Sequence, residues 1–247
     1  MEILQNCRDH AHKYYRELLV AAEKTLANIL LEQAEKCTTN EDQSRYFEAM
    51  QELKLRSDSM HAAFSNHLIT RFQSFLKGHE PSTGSSHSAY PGNLSLVNRD
   101  QLENDLAISV IISRSNSRNS EALWKLNRRI AAIRGGKSVD DDSNPFAPAI
   151  VCQALQVALA ELTVDSKAKI LIYKQLGKIF VISFAKELTA LNELLIDQGI
   201  LPNLRFEVSK EKSSQSVAAP QPEQSHTEQA EAAPRAESVD SVVHQQE

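Results

Sequence analysis

EDQSRYFEAMQELKLRSDSMHAAFSNHLITRFQSFLKG, residues 41–78, decides the fold class. Its apolar side chains fall at Tyr46, Met50, Leu53, Met60, Phe64, Leu68, Phe72 and Phe75, in steps of 4, 3, 7, 4, 4, 4 and 3, with Ser57 at the missing step. Steps of three and four keep side chains on one face of an α-helix, whereas a strand would alternate. The spacing predicts one helix ending at Gly78, about 55 Å long at 1.5 Å per residue. Asn40 is the expected cap, because its side-chain oxygen can accept a first-turn N–H, and Glu41 and Asp42 follow where the helix dipole favours anions.

Upstream, residues 8–36 carry Tyr15, Leu18, Leu19, Ala22, Leu26, Ile29 and Leu30 on a second stripe. The short break at residues 37–40 makes the two helices antiparallel neighbours, a long hairpin over residues 1–78. Residues 79–93 are rich in Ser, Gly and Pro without a period and are expected to be a flexible linker. Leu94–Val97 is too short for a sheet and is expected to pack as an extended arm. A capping box at Asn98 and Gln101 opens a helix to about residue 113, followed by a polar turn over residues 114–119. Leu123, Leu126, Ile130 and Ile133 mark the next helix, stopped by Gly135-Gly136. Beyond an acidic loop, Val151, Leu155, Leu159 and Leu162 give a fifth. Asp165 caps a last one through Leu195, with Gly177 a candidate kink. The expected fold is all-α: a long antiparallel helical hairpin, a smaller helical bundle over residues 94–206, and a disordered acidic tail over residues 207–247.

The charge supports that division. The net charge is −5, and residues 207–247, with 8 acidic and 3 basic side chains, account for it; residues 1–206 hold 24 of each. A neutral body gives no electrostatic footprint for nucleic acid. The tail has no aromatic residue, Leu or Ile and cannot offset its chain entropy by burial. Seven glycines in 247 residues argue against phosphate-cradling architectures. Three scattered cysteines are no disulfide framework and fit a reducing compartment, so the expected location is cytoplasmic. The N-terminus lacks a signal-peptide pattern, and no apolar run suffices for membrane insertion.

AAIRGGKS, residues 131–138, fits a loose phosphate loop, but it follows a helix and opens an acidic loop, which favours a helix C-cap. Arg114 and Arg118 have the RxxxR spacing that clamps phosphates in cyclic-dinucleotide receptors of the PilZ type, which are β-barrels. Arg114, Arg118, Arg134 and Lys137 are thus the candidate anion contacts. Cys7, His10 and His12 are potential metal ligands without a fourth. Asp140–Asp142 could attract a cation, or favour the following helix start. No nucleophile elbow is present. Trp124, Tyr46, Phe64 and Phe72 are the candidate partner contacts, aromatics being strong contact residues. No catalytic, cofactor or metal site is expected.

RYFEAMQELKLRSDSMHAAF (residues 45–64), LSLVNRDQLENDLAISVIISRSNSRNSEALWKLNRRI (94–130) and DDSNPFAPAIVCQAL (141–155) resemble the start of the bacterial domain of unknown function 1631, as does the stretch ending IDQGILP. The resemblance covers residues 1–206. It implies an N-terminal portion of a longer kind of protein. Some members are labelled thymidine phosphorylase, an activity that needs a glycine-rich phosphate site and an α/β domain, neither visible here. The expected function is a non-catalytic helical scaffold or interaction module, with a protein partner or self-association. The alternatives are a module binding a nucleotide or cyclic dinucleotide and, behind it, an enzyme of nucleoside metabolism.

Overall fold

A computed structural model describes residues 2–78 and 99–206, and these contain seven α-helices and no strand. Helix α1 spans Glu2–Lys36. It begins earlier than the sequence stripe suggested because Leu4, Cys7 and Ala11 continue the buried row of Tyr15, Leu19, Ala22, Leu26 and Leu30. The turn after it ends at Thr39, which replaces Asn40 as the cap: its Oγ1 accepts from the Asp42 N–H at 3.2 Å, so Asn40 is already the first helical residue.

The second helix is two. Helix α2 covers Asn40–Leu55 and α3 covers Ser57–Leu76, separated by Arg56 at φ −95° and ψ 3°. The backbone ladder continues on both sides, through Arg56 N–H to Glu52 O and Met60 N–H to Arg56 O, both 2.9 Å. The bend falls where the apolar stripe lacks a member: Leu55 is 76% exposed, and the Ser57 hydroxyl donates to Glu23 on α1. Nothing apolar at that turn holds the helix straight against α1.

Helix α4, Arg99–Arg118, swallows most of the expected polar turn, and only Asn119 interrupts it before α5, Ser120–Ile133. Ser115 is fully buried, yet its hydroxyl donates to Ile111 O at 2.7 Å and its own carbonyl accepts from Asn119 Nδ2 at 2.7 Å. These bonds back to the same helix satisfy polar groups that had suggested a loop. Helix α5 stops at Gly135 and Gly136, with φ of 71° and 88°, where Gly136 N–H reaches Ala131 O. Helix α6, Pro148–Ala160, follows; α7, Ser166–Asp197, is capped by Asp165, whose carboxylate accepts the Lys167 N–H at 2.9 Å. The expected linker, the extended arm at Leu94–Val97 and the acidic tail lie outside the described residues.

Helix α1 lies against α2, α3 and α7, while α6 packs on α3 and α4 on α7. Helices α1 and α7 run antiparallel: His10 meets Glu187 and Tyr14 meets Ser183. The aromatic heart between them is Tyr15 with Phe180 and Phe184, their ring centroids 5.9–6.3 Å apart. Helices α4 and α7 run parallel. Gly177 does not kink α7; it is the point of closest approach, and a Cβ there would lie 2.8 Å from Ile111 Cγ1.

Gly177→Val should therefore destabilise the protein by about 1–3 kcal/mol through overpacking. Shrinking the opposing side chain, in Gly177→Val/Ile111→Ala, should recover part of that loss. Urea unfolding of the two single variants and the double variant measures the coupling, and strict additivity would refute the packing assignment.

Candidate functional site

The outer row of α4 consists of Leu102, Leu106, Val110, Arg114 and Arg118, one residue every four. All five are exposed: Leu102 by 60%, Leu106 by 63% and Val110 by 39%. The opposite side of the helix, Ile108, Ile111 and Ser115, is buried. The four-residue spacing of Leu102, Leu106 and Val110 was missed in the sequence, where Ile108 and Ile111 compete for the inward face.

The four expected anion contacts do not converge. Arg114 and Arg118 precede α5, whereas Arg134 and Lys137 follow it, which separates the pairs by on the order of 20 Å at 1.5 Å per residue. Arg134 lies 4.1 Å from the centroid of the Phe75 ring, and Lys137 is exposed beyond the Gly135-Gly136 cap. That cap ends a helix, so AAIRGGKS has the C-cap geometry. Arg118 instead borders a cleft of about 640 Å³ between α5, α7 and residues 202–206, together with Lys125, Glu121, Thr189, Glu193 and Phe206. Its charges are mixed, and Lys125 is paired with Glu121 at 2.5 Å.

Of the expected partner contacts, Phe64 and Phe72 belong to the core, 1% and 2% exposed, because both lie on the buried stripe of α3. Tyr46 is half-buried. Trp124 is half-buried, edge-on to Phe206 at 5.5 Å, with Arg128 over its ring at 5.5 Å.

Two buried charged residues escaped the sequence reading. Arg129, 2% exposed, donates to Asn192 Oδ1 at 2.5 Å and to the carbonyls of Ile200 and Leu201 at 3.2 and 3.1 Å. It ties α5 to the end of α7 and to Leu201, which sits at φ 44°. Glu187 is fully buried and bonds His10 Nδ1 at 3.0 Å through one carboxylate oxygen. Its signal was a carboxylate between Phe184 and Leu188, on the core stripe of α7.

The Cys7 and His10 of the small sequence cluster therefore do meet an acid, but the chemistry is muted. Burial, then the Glu187 charge, pushes the Cys7 thiol up to about 11, and burial pushes Cys152 up to about 12. Both stay protonated and poorly nucleophilic near neutral pH. His12 is turned away from Cys7, into a small gap lined by Arg8, Tyr15 and Phe72. Burial and then Arg16 lower its pKa. Asp140 is engaged by the Ser143 hydroxyl and N–H, which lower its pKa, and Asp141 accepts from Asn127 Nδ2 at 2.7 Å. Among the described residues, no group of three or more His, Cys, Asp or Glu side chains is placed to hold a metal ion. No described helix is long and apolar enough to cross a membrane.

Residues 1–199 match the N-terminal domain of a family described as protein of unknown function (DUF1631). The chain belongs to this family. No curated protein and no solved structure matches it.

Burial raises the Glu187 carboxyl pKa above its ordinary 4.5, and the His10 hydrogen bond opposes the rise. A carboxyl whose pKa is higher folded than unfolded contributes stability that is full below the unfolded value and is lost as pH rises through the folded one. Urea unfolding should show Glu187→Gln gaining on the native chain as pH climbs from about 4.5. A difference that stays independent of pH as the pH is raised above 4.5 would contradict this.

Proposed function

We propose that this domain is a non-catalytic protein-interaction module of the cytoplasm, presenting the outer face of α4 to a protein partner or to a second copy of itself. The observation that carries the reading is the exposed aliphatic row Leu102, Leu106 and Val110. Single exposed aliphatic side chains are ordinary on protein surfaces, but three in one helical row form a contiguous apolar strip. Such a row, repeating at four-residue steps, is the usual anchor pattern of helix-mediated recognition. Trp124 and Tyr46, both half-buried, are secondary contact candidates. The non-catalytic part of the reading draws support from the protonated, buried thiols of Cys7 and Cys152. Three free cysteines agree with a reducing compartment.

A module for phosphate ligands is the second reading, with Arg114 and Arg118 as its adjacent cations. Arg134 and Lys137, beyond the far end of α5, would not reach the same ligand.

Leu106→Asp tests the main reading. An exposed substitution should change stability by no more than about 0.5 kcal/mol. It should nevertheless abolish self-association by light scattering, or recovery of the partner that the native chain captures on crosslinking in its own cells. Identical recovery by both forms would remove the α4 row from the function.

A further inference from the structure

The row on α4 has a neighbour. On α7, Lys174, Lys178, Ile182 and Lys186 follow one another at four-residue steps, about 18 Å from end to end. All four are exposed, Ile182 by 66%. Helix α4 runs parallel to α7, Ile111 faces Gly177, and Arg118 shares a cleft with Ala185. Arg114 and Arg118 therefore flank the lysine row.

The middle of this joint face is one-sided in composition. Between residues 106 and 118 of α4 and between 168 and 192 of α7, every exposed side chain is aliphatic, hydroxyl-bearing or basic. Acids stand only at its ends: Glu103 is half-buried on the first turns of α4, and exposed Glu193 and Glu121 share the cleft of Arg118. Arg114, Arg118, Lys174 and Lys178 form no ion pair among the described residues, whereas Lys186 lies 5.9 Å from the Tyr14 ring centroid and its charge favours the buried Glu187 carboxylate. Arg114 with Arg118, and Lys174 with Lys178, are like charges at i,i+4, an arrangement that weakens the helix carrying it. The free fold gains nothing from either like-charge pair.

We propose that the partner of the interaction module is an acidic protein segment bearing aliphatic side chains, seated across the α4–α7 face, with its carboxylates on Arg114, Arg118, Lys174, Lys178 and Lys186 and its aliphatic groups on Ile182 and the α4 row. This rests on the interaction reading given above and names the partner's chemistry. Unpaired cations supply steering and selectivity, and the exposed aliphatic groups supply contact area. A small acidic ligand would leave the aliphatic row in water. A second copy pairing α4 row to α4 row would set aliphatic on aliphatic but would provide no acidic counterpart for the α7 lysines.

The probe is a fluorescein-labelled helical peptide of about 20 residues, with leucines at three- and four-residue spacing and glutamates between them. Fluorescence anisotropy should report binding that weakens roughly tenfold when salt is raised from about 50 to about 300 mM. Arg114→Glu/Lys178→Glu should weaken binding by a similar factor. The same double change converts both like-charge pairs into opposite-charge pairs, so its Tm should hold or rise.

Absence of peptide binding overturns the proposal. So does binding that survives the double reversal, equal binding of a lysine-containing peptide of the same pattern, or a preference for phosphatidylglycerol vesicles or duplex DNA. Loss of binding together with a lower Tm would reassign the cations to holding the fold, and overturns it too. If the acidic peptide is not bound while the partner recovered through Leu106 persists, the partner chemistry is wrong and the module reading stands. If both vanish, both fail.

Discussion

Helix α4 can lie along α7 as closely as it does because residue 177 has no side chain. Ile111 occupies the space where a Cβ would stand, with its Cγ1 2.8 Å and its Cδ1 2.9 Å from that position. The approach fixes the rotation of α4 about its own axis. With Ile108, Ile111 and Ser115 turned inward, the row from Leu102 to Arg118 must face out. One missing methyl group thus decides which side of an amphipathic helix reaches solvent, and whether Arg114 and Arg118 stand beside the lysines of α7.

The two buried charges show how differently a core can accommodate ionisable groups. Arg129 has three oxygen acceptors, all neutral, and spends its donors on fixing the chain beyond α7. Glu187 has His10 on one oxygen and no partner on the other. The first arrangement is structural reinforcement, since a planar guanidinium can bind several carbonyls at fixed angles. The second leaves a carboxylate incompletely compensated in an apolar interior. The burden falls on the seam between α1 and α7, where Cys7, Tyr14 and Tyr15 all feel the same charge.

Most of the helical content was legible because apolar periodicity reports directly on burial. The stripes of α1, α3 and α7 and the Asp165 cap follow from side-chain spacing and one short polar side chain. What sequence spacing did not reveal was polarity satisfied locally. Ser115 and Asn119 looked like a turn, but their bonds to the preceding helical turn let α4 run on to Arg118. The same limitation hid Arg129 and Glu187, whose partners are 63 or more residues away in sequence. Phe64 and Phe72 fit a contact role in the sequence because aromatics serve both cores and interfaces. Only the depth of α3 against α6 and α1 separates the two roles. The outer row of α4 was not singled out in the sequence, because Ile108 and Ile111 compete with it for the inward face and only the packing on α7 at Gly177 shows which of them is buried.

The packing of α1 on α7 also governs the order of events during synthesis. Residues 10 and 187 touch across a separation of 177 positions. At about 5–20 residues per second, the ribosome takes roughly ten to thirty seconds to deliver the second after the first. Throughout that interval α1 can bury one flank against α2 and α3, while the flank carrying Tyr14, Tyr15 and Cys7 has no cover. The chain spends its early life as an incomplete bundle with an apolar groove where its last helix belongs. The faster α7 emerges, the shorter that groove stays uncovered, and any truncation ahead of α7 leaves it permanently open.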